Sequence, residues 1–157
     1  MTSLDTRLFE HLGAENRIMD ELLELIQQEQ GLLVANNIKD ITAVIDQKSK
    51  RIAELANLAY RRHQTLGESG FQANESGMQS WISLNADSEV AVSWKKLAEK
   101  VLAAKESNRT NGLLINTQLN RNQSSLNMLR GPDTTGSIYG PNGQTKRSVP
   151  SRNFVAG

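Results

Sequence analysis

Hydrophobic residues recur along the first part of the chain at alternating steps of four and three, the spacing of one face of an α-helix. Over residues 3–36 this stripe runs through Leu8, Leu12, Glu15, Met19, Leu22, Ile26, Glu29 and Leu33. Glu15 and Glu29 interrupt an otherwise apolar seam. The pattern predicts a first long helix over 3–36, with Ser3 as its N-cap.

A second stripe with the same spacing follows over residues 38–66. Its members are Ile38, Ile41, Ile45, Lys48, Ile52, Leu55, Ala59, Arg62 and Leu66. Between the stripes, Asn36 and Asn37 favour a turn, because asparagine tolerates left-handed backbone and caps helices. Gly67 and then Gly70 predict the end of the second helix. Two long helices joined by so short a turn are expected to pack as an antiparallel hairpin.

The helical period breaks over residues 67–87, which we interpret as an irregular linker. Within it, Met78, Trp81, Ile82 and Leu84 predict one short helical turn that covers one end of the hairpin as a plug. Asp87 or Ser88 then caps a third helix, predicted over 87–130. At about 1.5 Å per residue this helix is ~65 Å long, so its distal half should project beyond the hairpin or bend.

The fold class expected from these elements is all-α: an antiparallel three-helix bundle or coiled coil with an overlong third helix. The helical domain covers 1–130. All three prolines, Pro132, Pro141 and Pro150, lie beyond it. Residues 131–157 are rich in Gly, Pro, Ser and Thr, which predicts a flexible, disordered tail.

The distal half of the third helix has an unusual composition. No acidic residue occurs between Glu106 and Asp133, and asparagine and glutamine flank the apolar set Leu113, Leu114, Ile115, Leu119, Leu126, Met128 and Leu129. An apolar stripe edged by neutral amides suits a helix that docks in a partner's groove. The same stripe would also suit core packing against the hairpin, and composition alone leaves both readings open. The length mismatch favours a partner.

The composition mainly excludes some classes of partner and some kinds of site. The 18 Lys and Arg residues balance 17 Asp and Glu, so no overall field attracts nucleic acid or a membrane surface. The chain has no cysteine, which excludes disulfides and thiolate metal sites and fits a reducing compartment. No apolar run approaches the ~20 residues that a membrane span needs, and the charged N-terminus is unlike a secretory signal. We therefore expect a soluble, cytoplasmic protein.

Candidate catalytic residues are few. His11 and Glu15 are spaced i, i+4 and would make half a metal site, but no third ligand is in view. In a phosphotransfer bundle, an exposed helical histidine is followed shortly by a lysine and a glycine. His63 is followed by Gly67, but Leu66 occupies the position of the lysine. No phosphate-binding glycine loop or nucleophile motif is present. The sequence thus predicts no catalytic, metal or cofactor site, and a protein that is not an enzyme.

The cluster Arg61-Arg62-His63, with Lys48 and Arg51 a few turns earlier, is a candidate for contact with phosphate. Acidic residues dilute the same helix, namely Asp40, Asp46 and Glu54. A solvated, mixed-charge face is therefore the favoured interpretation.

Three stretches of the chain together carry a resemblance to a known family. The first is the hairpin, through Leu22, Leu23, Glu29, Leu32, Leu33, Asn36, Asn37, Ile38, Ile41, Ile45, Lys48, Ile52 and Leu55. The second is Asn111-Gly112-Leu113-Leu114, and the third is Tyr139-Gly140-Pro141-Asn142-Gly143. These stretches resemble the FlgN-type flagellar export chaperones, because the second is similar to that family's Asn-x-x-Leu stretch and the third to its Tyr-Gly-Pro-x-Gly signature.

The resemblance implies a cytoplasmic chaperone of the hook-associated proteins FlgK and FlgL, which keeps their helical terminal regions competent for flagellar type III export. It implies client contacts at Leu113 and Leu114, and a tail contact with the export gate at Tyr139. The stripe adds Ile115, Leu119, Leu126 and Leu129 to the client surface. Components of the export gate and ATPase complex are the other expected partners, and no cofactor is implied. The alternative is a structural coiled-coil homo-oligomer or adaptor without a client.

Overall fold

The computed structural model describes residues 1–131, and this part of the chain holds four α-helices and no strand. They are α1 (Ser3–Val34), α2 (Ile38–Glu68), α3 (Glu75–Leu84) and α4 (Glu89–Arg130). The all-α prediction is confirmed. The chain forms two compact units, Met1–Asn116 and Thr117–Gly157. The predicted tail, apart from Gly131, and its residue Tyr139 lie outside the described residues.

The N-cap of α1 lies one residue earlier than predicted. Thr2, and not Ser3, is the N-cap: the Asp5 amide donates to Thr2 Oγ1 at 3.1 Å, and the Thr2 amide donates to the Asp5 carboxylate at 2.9 Å. This reciprocal pair is a capping box. Its hydrogen bonds, first that from the Thr2 backbone, lower the pKa of Asp5. The Ser3 prediction was wrong because only Thr2 has a carboxylate three residues after it that can return the bond.

The predicted turn between α1 and α2 is confirmed. Asn36 has left-handed backbone (φ 56), and the Asn37 side chain accepts a hydrogen bond from the Asp40 amide at 3.3 Å. α2 then runs to Glu68, and Gly70 adopts φ 89 just beyond it. A side chain at Gly70 would be strained in this conformation, so glycine is the residue that lets the chain leave the helix here.

α1 is the central helix of the first unit. Ten of its residues are buried, against four on α2 and four on α4. The apolar core therefore lies along α1, and its members come from all four helices: Leu8, Leu12, Met19, Leu22, Ile26, Leu66, Met78, Trp81, Val90, Leu97 and Ala104.

The segment predicted as irregular over 67–87 contains the ten-residue helix α3. Asn74 caps it by accepting a hydrogen bond from the Gly77 amide at 2.9 Å. Met78 and Trp81 are buried in the core with Leu8 and Leu66, so α3 is the predicted plug.

Gly77 is required by close packing at the start of α3. A Cβ at this position would overlap the backbone carbonyl of Gln72. The glycine therefore allows the loop before α3 to fold back on the first turn of the helix.

α4 begins at Glu89, and Ser88 is its cap, since the Ala91 amide donates to Ser88 Oγ at 3.0 Å. The helix runs parallel to α1, because contacts advance together along both. Asn16 donates to the Ser93 carbonyl, Lys100 pairs with Asp20, and Asn111 donates to the Ile26 carbonyl. α4 is therefore antiparallel to α2, as expected for the third long helix of an antiparallel bundle.

Candidate partner-binding surfaces

A buried ion pair joins α1 to α2. Arg62 Nε and Nη2 donate to the two carboxylate oxygens of Glu15 at 2.6 and 3.1 Å, and only 2% and 4% of the two side chains are exposed. Arg62 Nη2 also donates to Glu75 at the start of α3, at 3.0 Å. The guanidinium carbon lies 4.8 Å from the centre of the Trp94 ring on α4. One arginine therefore links all four helices through charge-assisted and cation–π contacts.

The pKa shifts of Arg62 and Glu75 both favour the charged form of the side chain. Burial alone would lower the pKa of Arg62, but the hydrogen bonds and charges of Glu15 and Glu75 outweigh burial and raise it. Burial would raise the pKa of Glu75, but the bonds and charges of Arg62 and His63 outweigh it and lower that pKa. His63 Nε2 lies 3.0 Å from the same Glu75 oxygen. The hydrogen bonds and charges of these groups are directed at one another, which is typical of a cluster that stabilises the fold.

A second polar layer lies nearer the hairpin turn. Glu29 Oε1 accepts hydrogen bonds from Lys48 Nζ and from Asn111 Nδ2, both at 2.8 Å. Lys48 also donates to Asn108, and Asn111 also donates to the Ile26 carbonyl at 2.9 Å. Asn111 therefore belongs to the interior of the bundle, and the exposed Asn108 bonds to Lys48 at its edge.

The two polar layers fix the register of the hairpin. Glu15 and Glu29 are 14 residues apart on α1, and Lys48 and Arg62 are 14 residues apart on α2. In an antiparallel pair, this equal spacing brings each acid opposite one base. A slip of one turn would leave four charges unpaired inside the bundle, and that cost is large.

The prediction of a solvated face for the basic cluster was wrong for two of its members. Arg62 is almost fully buried, and only 13% of the Lys48 side chain is exposed. The signal that would have found these pairs was in the two stripes, where the polar interruptions of α1 and the basic residues of α2 have the same 14-residue spacing.

His11 and Glu15, which have the spacing of half a metal site, have other partners in the structure. His11 Nε2 lies 2.9 Å from Thr65 Oγ1, and Glu15 is engaged by Arg62. Burial is the main cause of a lowered pKa at His11. Within residues 1–131, no three side chains are grouped as metal ligands. This part of the chain also holds no helix long and apolar enough to cross a membrane.

The predicted client residues all lie on α4, and most are exposed. The exposed fraction ranges from 36% at Ile115 to 83% at Leu129, and Leu114 is half-buried. From Leu119 to Arg130 every residue is exposed.

These residues do not all share one face of the helix. With 3.6 residues per turn, Ile115, Leu119, Leu126 and Leu129 lie on a common face, which we call the α4 stripe. Leu113 lies on the opposite side, and Leu114 lies between the two. The predicted set is thus one stripe of four residues with two neighbours off it.

A groove runs between α2 and α4 within the first unit, with α1 as its floor. Its larger part has a volume of about 570 Å³ and contains the alanines Ala56, Ala59 and Ala98. A smaller part, of about 190 Å³, continues toward Lys48 and Lys105. Met19 and Val101 line both parts, so we treat them as one feature, the α2–α4 groove.

The profile of a family described as "FlgN protein" matches residues 1–147, nearly the whole chain. The chain belongs to the FlgN family. Among curated relatives, the Flagella synthesis protein FlgN of Yersinia enterocolitica is 30% identical over 142 residues, covering 89% of this chain and 90% of that protein. The proteins of the same name from Salmonella typhimurium and Escherichia coli K12 are 26% and 28% identical. Those matches cover 91% and 89% of this chain, and 93% and 91% of the relatives. No solved structure matches the chain.

The resemblance drawn from the hairpin, the Asn111–Leu114 stretch and the Tyr139–Gly143 stretch is thus confirmed at the level of the FlgN family. All three stretches lie inside the matched range.

Proposed function

We propose that this FlgN-family protein is a cytoplasmic export chaperone. It binds the helical terminal regions of the hook-associated proteins FlgK and FlgL and keeps them competent for flagellar type III secretion. The observation that carries the proposal is the α4 stripe, four large aliphatic side chains at helical spacing that are exposed. The role is one of binding, without catalysis.

Exposed aliphatic side chains at this spacing are the usual mark of a helix that docks against a partner. The stripe continues the spacing of buried residues earlier on α4, such as Leu97, Ala104 and Asn111. The α4 face that is buried in the first unit thus carries large apolar residues past the point where burial ends. A client helix would supply the apolar surface that these residues lack.

The expected affinity follows from the exposed area. Full burial of a large aliphatic side chain contributes about 1.5–3 kcal/mol, so four side chains that are roughly 60% exposed contribute about 4–7 kcal/mol. The client's own apolar face adds a similar amount, and association costs on the order of 4–15 kcal/mol. Much of the gain is offset by this cost, so the binding is reversible, which suits a chaperone that must release its client before export.

Leu113 and Leu114 enter the proposal through the family's Asn-x-x-Leu stretch, at the border of the client surface. Tyr139 enters it as the contact with the export gate. The Tyr139→Ala variant should therefore bind client as wild type does and yet reduce client export in motile cells. Weaker client binding by this variant would contradict the assignment.

The test of the α4 stripe is the double substitution Leu119→Asp with Leu126→Asp. Calorimetric titration with FlgK or FlgL should show binding lost, while the thermal unfolding of the helical signal stays nearly unchanged. The matched control, Asn120→Asp with Asn127→Asp, adds the same charges to another face of the same helix and should bind client. Collapse of the helical signal in the leucine variant, or unchanged binding, would contradict the proposal.

The second candidate function is a structural coiled-coil homo-oligomer, and one observation favours it. Ile38, Ile45 and Ile52 recur at seven-residue spacing on α2 and are 41–58% exposed. Such a row suits a second copy of the chain. Light scattering at low micromolar concentration decides between the export chaperone and the homo-oligomer. A monomer that gains mass only when client is added supports the chaperone, and a stable oligomer without client supports the homo-oligomer.

A further inference from the structure

The α2–α4 groove exists because small side chains face each other across it. Ala56 and Ala59 on α2 and Ala98 on α4 leave the space between the two helices unfilled. Ile52 and Leu102 lie along its sides and are 53% and 67% exposed. A bundle of three long helices with an apolar cleft between two of them offers the place of a fourth helix.

The groove has a defined length. From Lys48 at one end to Arg62 at the other there are 14 residues of α2, which at 1.5 Å per residue span about 21 Å. A guest helix of about four turns would cover it. Such a helix would bring larger apolar side chains against the three alanines, since small residues on one side accommodate large ones on the other.

The two ends of the groove differ in charge. The hairpin-turn end has two positive charges, on Lys48 and Lys105, and one negative charge, on Glu29. Lys105 has no carboxylate partner within residues 1–131. At the other end, Arg62 and His63 contact the carboxylates of Glu15 and Glu75, and the Glu75 side chain is 58% exposed. A complementary guest helix therefore carries an acidic side chain at the lysine end and a basic side chain at the Glu75 end.

We propose that the α2–α4 groove seats an amphipathic helix of the client, about four turns long and with this distribution of charge. The inference rests on the proposed chaperone function and extends it, because the client then contacts the groove as well as the α4 stripe. The client is favoured over the distal part of α4 from a second copy, because that part lies in a stretch without acidic residues between Glu106 and Asp133. That stretch cannot supply the acid that the lysine end requires.

The absence of cysteine from the chain allows a direct test in the full-length protein. Ala98→Cys places a single thiol in the groove, and Ala103→Cys places one on an exposed position of the same helix that does not line the groove. Each variant is labelled with a maleimide with and without FlgK or FlgL, and the mass of this chain reports the rate. With client at ten times its Kd, labelling at 98 should slow about tenfold, while labelling at 103 should not change.

A charge test complements the labelling. Lys105→Glu should weaken client binding about tenfold, the size of one charge-assisted contact of roughly 1.5 kcal/mol. Lys95→Glu, the same change on an exposed position of α4 outside the groove, should not weaken it.

Three outcomes would overturn the inference, and they are distinguishable. Client binding without protection at 98 overturns the groove alone and leaves the proposed function standing. No client binding by the wild-type chain overturns both. Protection at 98 that grows with the concentration of this chain alone shows that a second copy occupies the groove, and the client does not.

Discussion

Arg62→Met should be among the most destabilising single substitutions in this protein. Methionine keeps most of the aliphatic stem, but the guanidinium that contacts Glu15 and the Trp94 ring is removed together with its charge. Glu15 is then buried without its cationic partner. Removing one member of a buried ion pair costs about 3–5 kcal/mol, because the remaining charge is uncompensated.

For a folded unit of 116 residues, each kcal/mol lowers Tm by roughly 3–5 °C, so the expected fall is about 10–25 °C. Thermal and urea unfolding followed by far-UV circular dichroism measure it. The matched control is Arg51→Met on the same helix, where Arg51 pairs with partly exposed Glu21 and Glu54. That change should cost no more than about 1 kcal/mol.

A double substitution separates the cost of the orphaned charge from the loss of attraction. Adding Glu15→Gln to Arg62→Met removes the buried charge and should restore about 2 kcal/mol, leaving mainly the cost of an imperfectly bonded amide. A loss below 1 kcal/mol for Arg62→Met would refute the argument, since the pair would then behave as a solvated one. A double variant less stable than Arg62→Met alone would refute it as well.

Three further predictions concern pH, glycine positions and the second polar layer. Because the pKa of His11 is lowered in the folded state, the contribution of its neutral form to the free energy of unfolding should be fully present above about pH 6.5. That contribution should be lost as the pH decreases toward the lowered pKa. The His11→Gln variant should show a flatter stability–pH curve in this range, and an unchanged slope would contradict the prediction. Gly77→Ala should lower Tm, because its Cβ overlaps the carbonyl five residues earlier, whereas Gly13→Ala, in open space within α1, should raise stability by up to about 1 kcal/mol in urea unfolding. Asn111→Asp should cost about 3 kcal/mol by placing a second buried carboxylate beside Glu29, and should cost less when the denaturation is repeated at acidic pH; equal cost at both pH values would contradict the charge argument.

The long helices could be predicted from sequence because their signals are local. The 4-3 spacing, the proline-free stretch and the asparagine turn specify α1, α2 and their connection with few alternatives. The cap of α1 was misplaced by one residue, because the choice between Thr2 and Ser3 depends on which of them has Asp5 in reach. α3 was underestimated, because a ten-residue helix has too few turns to show a clear period.

The candidate site was only partly accessible from sequence. Ile115, Leu119, Leu126 and Leu129 follow the helical period and could be selected from it, and the structure places them on one exposed face. Asn111 is indistinguishable in sequence from the other asparagines around that stripe, yet it is buried against Glu29. Whether an amide edges a surface or completes a polar layer depends on which helix lies beside it, and that partner is far away in the chain.

The sequence by itself determined the helices, the hairpin turn and the family of this protein, because periodicity, capping residues and local motifs act over a few residues. Only the tertiary structure decided that Arg62 and Lys48 are interior partners of Glu15 and Glu29. It also decided that α1 is central and that alanines on α2 and α4 face one another across an open groove. These features arise from residues 19 to 85 positions apart, and their meeting depends on how whole helices pack.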